Sequence, residues 1–140
     1  GIVFMLYMDA CEKFAEEIGA VYYHGKLSNE VRREQMSLWL NASTRAQQIM
    51  VATTALGYGV NVKNVLWVLH IGSPPEMFRY VQESGRGGRE GQPAECCLIL
   101  HHGPRKQPAQ SLGAIHGGNE SMIKYCEGSG TCRRVEIGLY

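Results

Sequence analysis

The sequence lacks a strong excess of charge, an apolar run long enough to cross a membrane, and a secretory signal. Its 140 residues carry a net charge of +1, so no global field attracts a polyanion, and nucleic-acid binding must depend on local patches. A transmembrane helix requires about 20 consecutive apolar residues, which are absent here. We therefore expect no membrane partner.

Disulfide bonds are also not indicated. The five cysteines are odd in number and scattered, which fits reduced thiols better than a disulfide framework. Cys96 and Cys97 are neighbours in a predicted strand, so they point to opposite faces and cannot chelate one metal ion together. We expect Cys11, Cys96 and Cys97 to be buried as small apolar groups.

The chain has no phosphate-binding loop of the G-x-x-x-x-G-K-[ST] type, and no Asp-Glu pair ends a predicted strand. Residues 82–91 instead combine two arginines, Arg86 and Arg89, with four glycines. A guanidinium is a permanently charged planar fork that matches phosphate oxygens, and glycine lets the backbone approach a ligand. This stretch predicts contact with the phosphates of a nucleotide. A solvated turn with surface charges is the alternative.

Apolar runs of strand length alternate with helical patterns along the first 100 residues. Such alternation predicts an α/β fold with a parallel sheet covered by helices on both faces. Residues 65–71 form the longest apolar run and are expected to be a central strand. In such sheets ligands bind beyond the carboxyl ends of the strands. We predict strands over 1–6, 20–23, 48–52, 65–71 and 94–100, and helices over 9–18, 30–40 and 75–82.

Four residues are predicted to mark helix ends. Asp9 and Ser28 are candidate N-caps, Gly19 a helix stop, and Pro75 a first-turn residue. The side chains expected to face inward are Phe14 and Ile18 of the first helix, and Val31, Leu38 and either Gln35 or Met36 of the second.

The remainder of the chain divides into two stretches. Residues 101–118 are rich in Gly, Pro, His and Gln and are predicted to be a linker or surface loop. Residues 119–140 are predicted to form two short helices, capped by Asn119 and Thr131, that are too short to fold alone. The main domain is thus residues 1–100. Both termini lie in apolar patterns, so we expect a piece of a larger protein.

Three segments occur in the order found in one family. Residues 51–61 resemble helicase motif V, residues 82–91 resemble motif VI, and Cys132-Arg133-Arg134 resembles the start of a zinc-binding subdomain. Together they resemble the second RecA-like domain of a RecQ-type DNA helicase of superfamily 2. The resemblance covers nearly the whole chain. It implies a RecA-like parallel sheet with a short helical tail.

The resemblance also implies roles for individual residues. In the family, two RecA-like domains enclose ATP; the first carries the phosphate-binding loop and the acidic motif for Mg²⁺, and the second donates arginines. Arg89 matches the arginine finger, Arg86 would share phosphate contact or brace the loop, and Gln82 would couple nucleotide state to DNA. The motif V residues expected near the nucleotide are Gly57, Gly59 and Asn61.

Three further residues are expected to contact DNA. The resemblance implies that Thr53 and Thr54 donate to strand phosphates, although a strand cap is the alternative for both. His24 is a weaker candidate, because a loop histidine is more often structural. Tyr7-Met8 stands where the family usually has Ser-Arg, so one expected DNA contact is missing or moved.

The implied ligands are ATP, Mg²⁺ and zinc. ATP and Mg²⁺ would be held mainly by the first RecA-like domain. The family's zinc site uses four cysteines, of which only Cys132 has a counterpart here, and Cys126 lies outside the pattern. Two thiols do not close a tetrahedral site, so we expect zinc in the full-length protein only.

The resemblance implies part of an ATP-dependent 3′–5′ DNA helicase that acts on single-stranded or forked DNA, in DNA repair and recombination. The protein would be nuclear in a eukaryote and otherwise cytoplasmic. The isolated chain is expected to show little ATP hydrolysis. The alternative is a non-catalytic nucleic-acid-binding module or a decayed helicase fragment.

Overall fold

The computed structural model describes residues 1–57, 62–100, 120–128, 130 and 132–138. Two short 3₁₀ helices, Ala46–Gln48 and Thr54–Gly57, precede and follow the third strand. The strands are β1 (Ile2–Met5), β2 (Val21–Tyr23), β3 (Met50–Ala52), β4 (Trp67–Ile71) and β5 (Glu95–Ile99). The helices are α1 (Met8–Ile18), α2 (Asn29–Leu40), α3 (Met77–Ser84), α4 (Glu120–Glu127) and α5 (Arg133–Ile137).

The five strands form one sheet in the order β2-β3-β1-β4-β5. All four pairings are parallel, with Ile2 of β1 opposite Met50 on one side and Val68 on the other. The predicted parallel sheet is therefore confirmed. The middle position belongs to β1, whereas β4 is an interior strand between β1 and β5.

Helices cover both faces of the sheet, as predicted. On one face, Cys11 and Ala15 of α1 pack against Val3 and Val51. On the other, Trp39 of α2 joins a cluster that includes Ile2, Phe4, Met50 and Val68. The alternation of buried side chains along β1 explains why one short strand contributes to both clusters.

Two predicted helix ends are confirmed. Gly19 adopts φ +68° after α1 and its N–H reaches the carbonyls of Ala15 and Glu16, a conformation that glycine adopts without a steric penalty. The Ser28 hydroxyl accepts a hydrogen bond from the Val31 N–H at 3.3 Å. Both helix ends depend on local backbone interactions, so they could be predicted from the sequence.

Two other predicted ends are wrong. Helix α1 begins at Met8 with Tyr7 in the cap position, so Asp9 lies inside the first turn and not before it. An acidic side chain in that turn still complements the helix dipole. Helix α3 begins at Met77 after Glu76, which leaves Pro75 outside the helix.

The predicted inward faces are partly wrong. Ile18 and Leu38 are 37% and 39% exposed, and the buried residues are Cys11 and Ala15 in α1 and Trp39 in α2. Residues four apart share a helix face, so Cys11 and Ala15 share one side. In α2 the partly buried Val31 and Gln35 lie on the same side as Trp39. The partly buried Phe14 and Met36 do pack against the core.

The prediction that three cysteines are buried is wrong for two of them. Cys11 is buried, but Cys96 and Cys97 are exposed. They lie in β5, which is the last strand in the order and pairs with β4 alone among the described strands. All five cysteines are free thiols, as expected from their number.

Helix α4 packs on α3 through a third cluster. Met77 and Tyr80 of α3 contact Met122, Tyr125 and Cys126 of α4. The predicted linker over 101–118 and the predicted caps Asn119 and Thr131 lie outside the described residues. Across the described part of the chain, none of the helices is both long and apolar enough to span a bilayer.

Candidate functional site

Residues 85–91, here called the arginine loop, continue from the end of α3. The Gly85 N–H donates to the Val81 carbonyl at 2.9 Å, and the Gly88 N–H donates to the Val65 carbonyl at 3.0 Å. Val65 precedes β4, so the loop reaches the amino end of the sheet. Our expectation that ligands lie beyond the carboxyl ends of the strands does not apply to this loop, because α3 returns the chain to the opposite edge.

Gly88 makes this close approach possible. It adopts φ +68°, and a Cβ atom at this position would lie 2.6 Å from the Gln92 carbonyl oxygen. Both the left-handed backbone and the short distance exclude a larger side chain without rearrangement. The loop is thereby packed closely against residues 92–94, which precede β5.

The two arginines of the loop have different surroundings. Arg86 is only 6% exposed, whereas Arg89 is exposed and its Nε donates to the Gly85 carbonyl at 3.3 Å. Burial, and next the charge of Arg89, lower the pKa of Arg86 from its ordinary value, while the Glu83 carboxylate opposes this change. Arginine remains charged under such shifts. The loop thus carries one buried cation and one that faces solvent.

A lysine side chain also lies beside the loop. The Lys63 ammonium is 3.1 Å from the Glu90 carboxylate, and both groups are largely exposed. An exposed pair of this kind contributes little to stability. Gln82, which precedes the loop on α3, is also exposed. Lys63 and Glu90 therefore place solvent-facing charges next to Arg89 in the loop.

The predicted motif V residues follow β3 at the carboxyl edge of the sheet. Thr53 is 7% exposed; its N–H donates to the Tyr23 carbonyl, and its own carbonyl accepts the Leu56 N–H, both at 3.1 Å. This geometry favours the structural alternative for Thr53. Gly57 ends the 3₁₀ helix, whereas Gly59 and Asn61 lie outside the described residues.

Thr54 opens the same 3₁₀ helix and is half-buried. It lines a small cavity of about 10 Å³ together with His70 and Glu83. A space of that size is close to the minimum for one water molecule. The predicted motif V and motif VI segments therefore approach each other here, beneath the surface.

His24 is a buried residue held by its own domain. It is 3% exposed, its Nε2 lies 2.5 Å from the Glu12 carboxylate, and its Nδ1 accepts the Lys26 N–H at 3.3 Å. Both ring nitrogens are thus engaged internally. This arrangement favours the structural alternative over direct DNA contact, because little of the ring is accessible to a ligand.

The predicted DNA-contacting threonines and Gly88 of the arginine loop lie at opposite edges of the sheet. Thr53 and Thr54 follow the carboxyl end of β3, and Gly88 is hydrogen-bonded to the residue before the amino end of β4. Strands of this length separate the two edges by roughly 10–17 Å. The structure does not bring all the predicted site residues into one cluster.

Two residues that the sequence analysis did not single out adjoin the arginine loop. Glu83 and His70 are buried, with Glu83 Oε2 3.0 Å from His70 Nε2. One signal was available: Glu83 follows Met77 and Tyr80 at intervals of three on the buried face of α3. A carboxylate on a buried helix face requires a partner. The identity of that partner depends on packing and could not be inferred.

Metal binding depends on the donor atoms present. Within the described ranges, no three His, Cys, Asp or Glu side chains are grouped closely enough to hold an ion. The two carboxylates near the arginines are paired, Glu90 with Lys63 and Glu83 with His70, while the guanidinium groups suit phosphate rather than Mg²⁺. Cys132 is exposed ahead of α5. The expectation of zinc in the full-length protein only stays a prediction.

The arginine loop, the parallel sheet and the motif V turn can be compared with known proteins. The family model described as "Helicase conserved C-terminal domain" matches residues 1–91, which include every strand except β5 and the whole arginine loop. The chain belongs to the helicase conserved C-terminal domain family. The matched region ends where the loop ends.

Curated relatives of this helicase domain are RecQ-family DNA helicases. The putative ATP-dependent DNA helicase Q1 of Caenorhabditis elegans is 33% identical over 98% of this chain. The ATP-dependent DNA helicase RecQ of Bacillus subtilis is 43% identical over 60% of it. The chain spans 22% and 14% of the lengths of these two relatives. The predicted resemblance to RecQ-type helicases is confirmed.

Solved structures agree on the fold of the helicase domain. The yeast DEAD-box splicing factor Prp28 superposes with a TM-score of 0.70 at 22% identity, over 99% of this chain and 27% of that one. A DEAD-box protein from Methanococcus jannaschii gives 0.63 at 25% identity, over 73% of this chain and 29% of the other. The RecA-like fold predicted from the sequence is confirmed.

Proposed function

We propose that this domain is the second RecA-like unit of an ATP-dependent 3′–5′ DNA helicase that acts on single-stranded or forked DNA. The observation that carries the proposal is the exposed Arg89 near the buried Arg86, on a loop held by backbone hydrogen bonds to α3 and to Val65, which precedes β4. An exposed guanidinium on a fixed loop suits contact with a phosphate supplied by another domain. The DNA-helicase relatives support the choice of substrate.

In this proposal Arg89 is the arginine finger, which stabilises charge on the γ-phosphate in the transition state. Arg86 braces the loop, and Gln82 couples nucleotide state to DNA. Gly57, Gly59 and Asn61 approach the nucleotide from motif V. A first RecA-like domain of the same protein supplies the phosphate-binding loop and the Mg²⁺ ligands, so the isolated chain hydrolyses little ATP.

Single-stranded DNA would bind at the other edge of the sheet, near Thr53 and Thr54. A solved neighbour, the helicase Lhr of Mycobacterium smegmatis, is described as bound to single-stranded DNA and AMP-PNP. It is 26% identical with a TM-score of 0.56, over 69% of this chain and 14% of that one. The buried His24 would act indirectly by holding its loop. A role in DNA repair and recombination, in a nucleus or a bacterial cytoplasm, follows from the same proposal.

The test is Arg89→Ala in the complete protein. We expect DNA-stimulated ATP hydrolysis to fall by a factor on the order of 10³ or more, with nucleotide binding largely retained, because the finger acts mainly on the transition state. Steady-state hydrolysis and equilibrium binding of a fluorescent ATP analogue measure the two effects separately.

Arg33→Ala is the matched control. Arg33 is also exposed, and its Nε donates to the Asn29 carbonyl at 3.1 Å, four residues earlier, just as Arg89 does with Gly85. Because Arg33 lies on α2, away from the arginine loop, its removal is expected to leave hydrolysis unchanged. Retained hydrolysis in Arg89→Ala, or equal losses in both variants, would contradict the role of Arg89.

A further inference from the structure

Glu83 is a buried acid on the helix that leads into the arginine loop. It is 4% exposed and lies on the same face of α3 as Met77 and Tyr80. A buried carboxylate is costly unless hydrogen-bonded or paired. Its position three residues before Arg86 suggests a function in addition to packing, because a neutral side chain would have filled the same space at a lower cost.

His70 fixes the Glu83 carboxylate relative to the sheet. Its Nε2 is 3.0 Å from Glu83 Oε2. The ring stacks on Phe4 with centroids 5.2 Å apart and an interplanar angle of 19°, and lies 5.0 Å from the ring of Tyr80. Since His70 belongs to β4, which is paired on both sides, its position is that of a rigid element.

Arg86 follows Glu83 by three residues, at the point where α3 ends. Its N–H donates to the Glu83 carbonyl at 3.2 Å, and its side chain is buried with 6% exposure. Burial and repulsion by Arg89 both lower the pKa of Arg86 and so disfavour its charged form. The negative charge of Glu83 opposes them and favours the charged form. A buried guanidinium requires such compensation.

We propose that Glu83 is a positioning residue for the arginine loop: His70 holds its carboxylate on β4, and the carboxylate holds Arg86, so that Arg89 is presented in one orientation. This inference rests on the proposed function of the loop as a phosphate contact. It adds two residues, Glu83 and His70, that touch no ligand themselves and act through Arg86.

The first test measures ATP hydrolysis by the complete protein. Glu83→Gln keeps the shape and an acceptor oxygen but removes the charge, and we expect kcat to fall by about tenfold or more while KM for ATP changes by roughly twofold or less. His70→Phe, which keeps the aromatic contacts but not the donor, is expected to lower kcat likewise. His70→Gln, which can restore a donor near the Nε2 position, is expected to recover most of it.

Glu76→Gln is the matched control. Glu76 caps the same helix but is exposed, and it pairs with Arg79 at 3.6 Å. We expect no change in kcat, and thermal melting shows whether each variant is folded. A kcat for Glu83→Gln within about twofold of the wild type, beside a large loss in Arg89→Ala, overturns the inference but leaves the proposed function intact. A wild-type protein without ATP hydrolysis contradicts the proposed function instead.

A second measurement does not depend on activity. In protein labelled with ¹⁵N-arginine, the Nε–Hε resonance of Arg86 reports the surroundings of its side chain, and Arg86→Lys assigns it. We expect Glu83→Gln and His70→Phe to move this resonance or broaden it, and Glu76→Gln to leave it in place. An unchanged Arg86 resonance in Glu83→Gln overturns the inference whatever the enzyme assay shows.

Discussion

Arg86 and Arg89 are three residues apart and chemically identical, but burial gives them different capacities. A guanidinium with 6% exposure cannot turn towards an incoming ligand without losing its internal contacts, whereas the exposed Arg89 can. The buried arginine therefore suits a bracing role and the exposed one suits contact with phosphate. This division was left open by the sequence, since both residues occur in the same glycine-rich motif.

The backbone of the arginine loop gives a prediction at single-residue resolution. Gly88 and Gly91 both have positive φ, +68° and +84°, but a Cβ at Gly88 would lie 2.6 Å from a carbonyl oxygen while one at Gly91 meets nothing within 4 Å. Gly91→Ala should cost about 1–2 kcal/mol from the left-handed backbone alone. Gly88→Ala should cost more, because it adds a steric clash.

Urea denaturation of the two variants measures the difference. Their positions in the same loop make each the control for the other. Equal free energies of unfolding for Gly88→Ala and Gly91→Ala would show that the contact between Gly88 and the Gln92 carbonyl is not tight in solution.

At the scale of elements, strands were easier to predict than helix faces. All five predicted strands occur, because short apolar runs bounded by turn residues have few alternatives in an α/β chain. Leu38 was predicted to face inward and Trp39 was not considered, although only Trp39 is buried. Its Nε1 donates to the Gln48 carbonyl at 3.2 Å. That contact depends on how α2 packs on the sheet. Helical periodicity alone does not predict this packing.

The candidate site shows the same limit. The arginine loop was singled out from its residue types and spacing, but the choice between phosphate contact and a solvated turn depended on the resemblance of the rest of the chain. The pair formed by His70 and Glu83, 13 residues apart, depends on the position of α3 over β4. Similarly, exposure of Cys96 and Cys97 follows from the position of β5 in the sheet order. These are properties of tertiary packing rather than of local sequence.

The packing of α1 on the sheet predicts a pH dependence of stability. Cys11 is buried with its thiol donating to the Val51 carbonyl at 3.3 Å, and burial raises the pKa of this thiol from 9.0 to about 11. Between these two values the unfolded chain releases the proton and the folded chain retains it. The stability of the fold should therefore fall as pH rises from 9.0 to about 11.

Denaturation of wild type and Cys11→Ala across this range measures the effect. The variant loses some packing at every pH, but its stability should decline less steeply above pH 9. Tyr80, Cys96 and Cys126 also have raised pKa values and are common to both proteins, so the comparison isolates Cys11. Parallel curves would contradict the burial of the thiol.

At the scale of the whole molecule, α4 packs on α3 through buried side chains. Tyr125 is 5% exposed, its hydroxyl is 3.3 Å from that of Tyr80, and the Arg133 guanidinium lies 4.7 Å from its ring centroid. Tyr125→Ala should cost about 3–5 kcal/mol of folding free energy, as expected for a buried aromatic residue. The loss should appear in the unfolding of the entire domain.

Val135→Ala on α5 is the control, because Val135 is 58% exposed and surface truncations usually cost about 0.5 kcal/mol or less. Unfolding followed by far-ultraviolet circular dichroism compares the two. If Tyr125→Ala were as stable as the wild type, α4 would not be docked on α3 as the structure describes.

The two edges of the sheet give the domain its proposed working geometry. The predicted DNA contacts Thr53 and Thr54 follow β3 at the carboxyl edge, and Gly88 of the arginine loop is hydrogen-bonded to Val65 at the amino edge. The small cavity lined by Thr54, His70 and Glu83 lies at the carboxyl edge, where α3 passes over the sheet.

The most direct test of the account is a crystal structure of the complete protein with ADP and a planar mimic of the transferred phosphate. We predict that the Arg89 guanidinium lies within hydrogen-bonding distance of the mimic, about 2.7–3.1 Å, and that Arg86 remains buried beside Glu83. A structure in which the mimic is bound but Arg89 faces solvent on the far side of the domain would contradict the account.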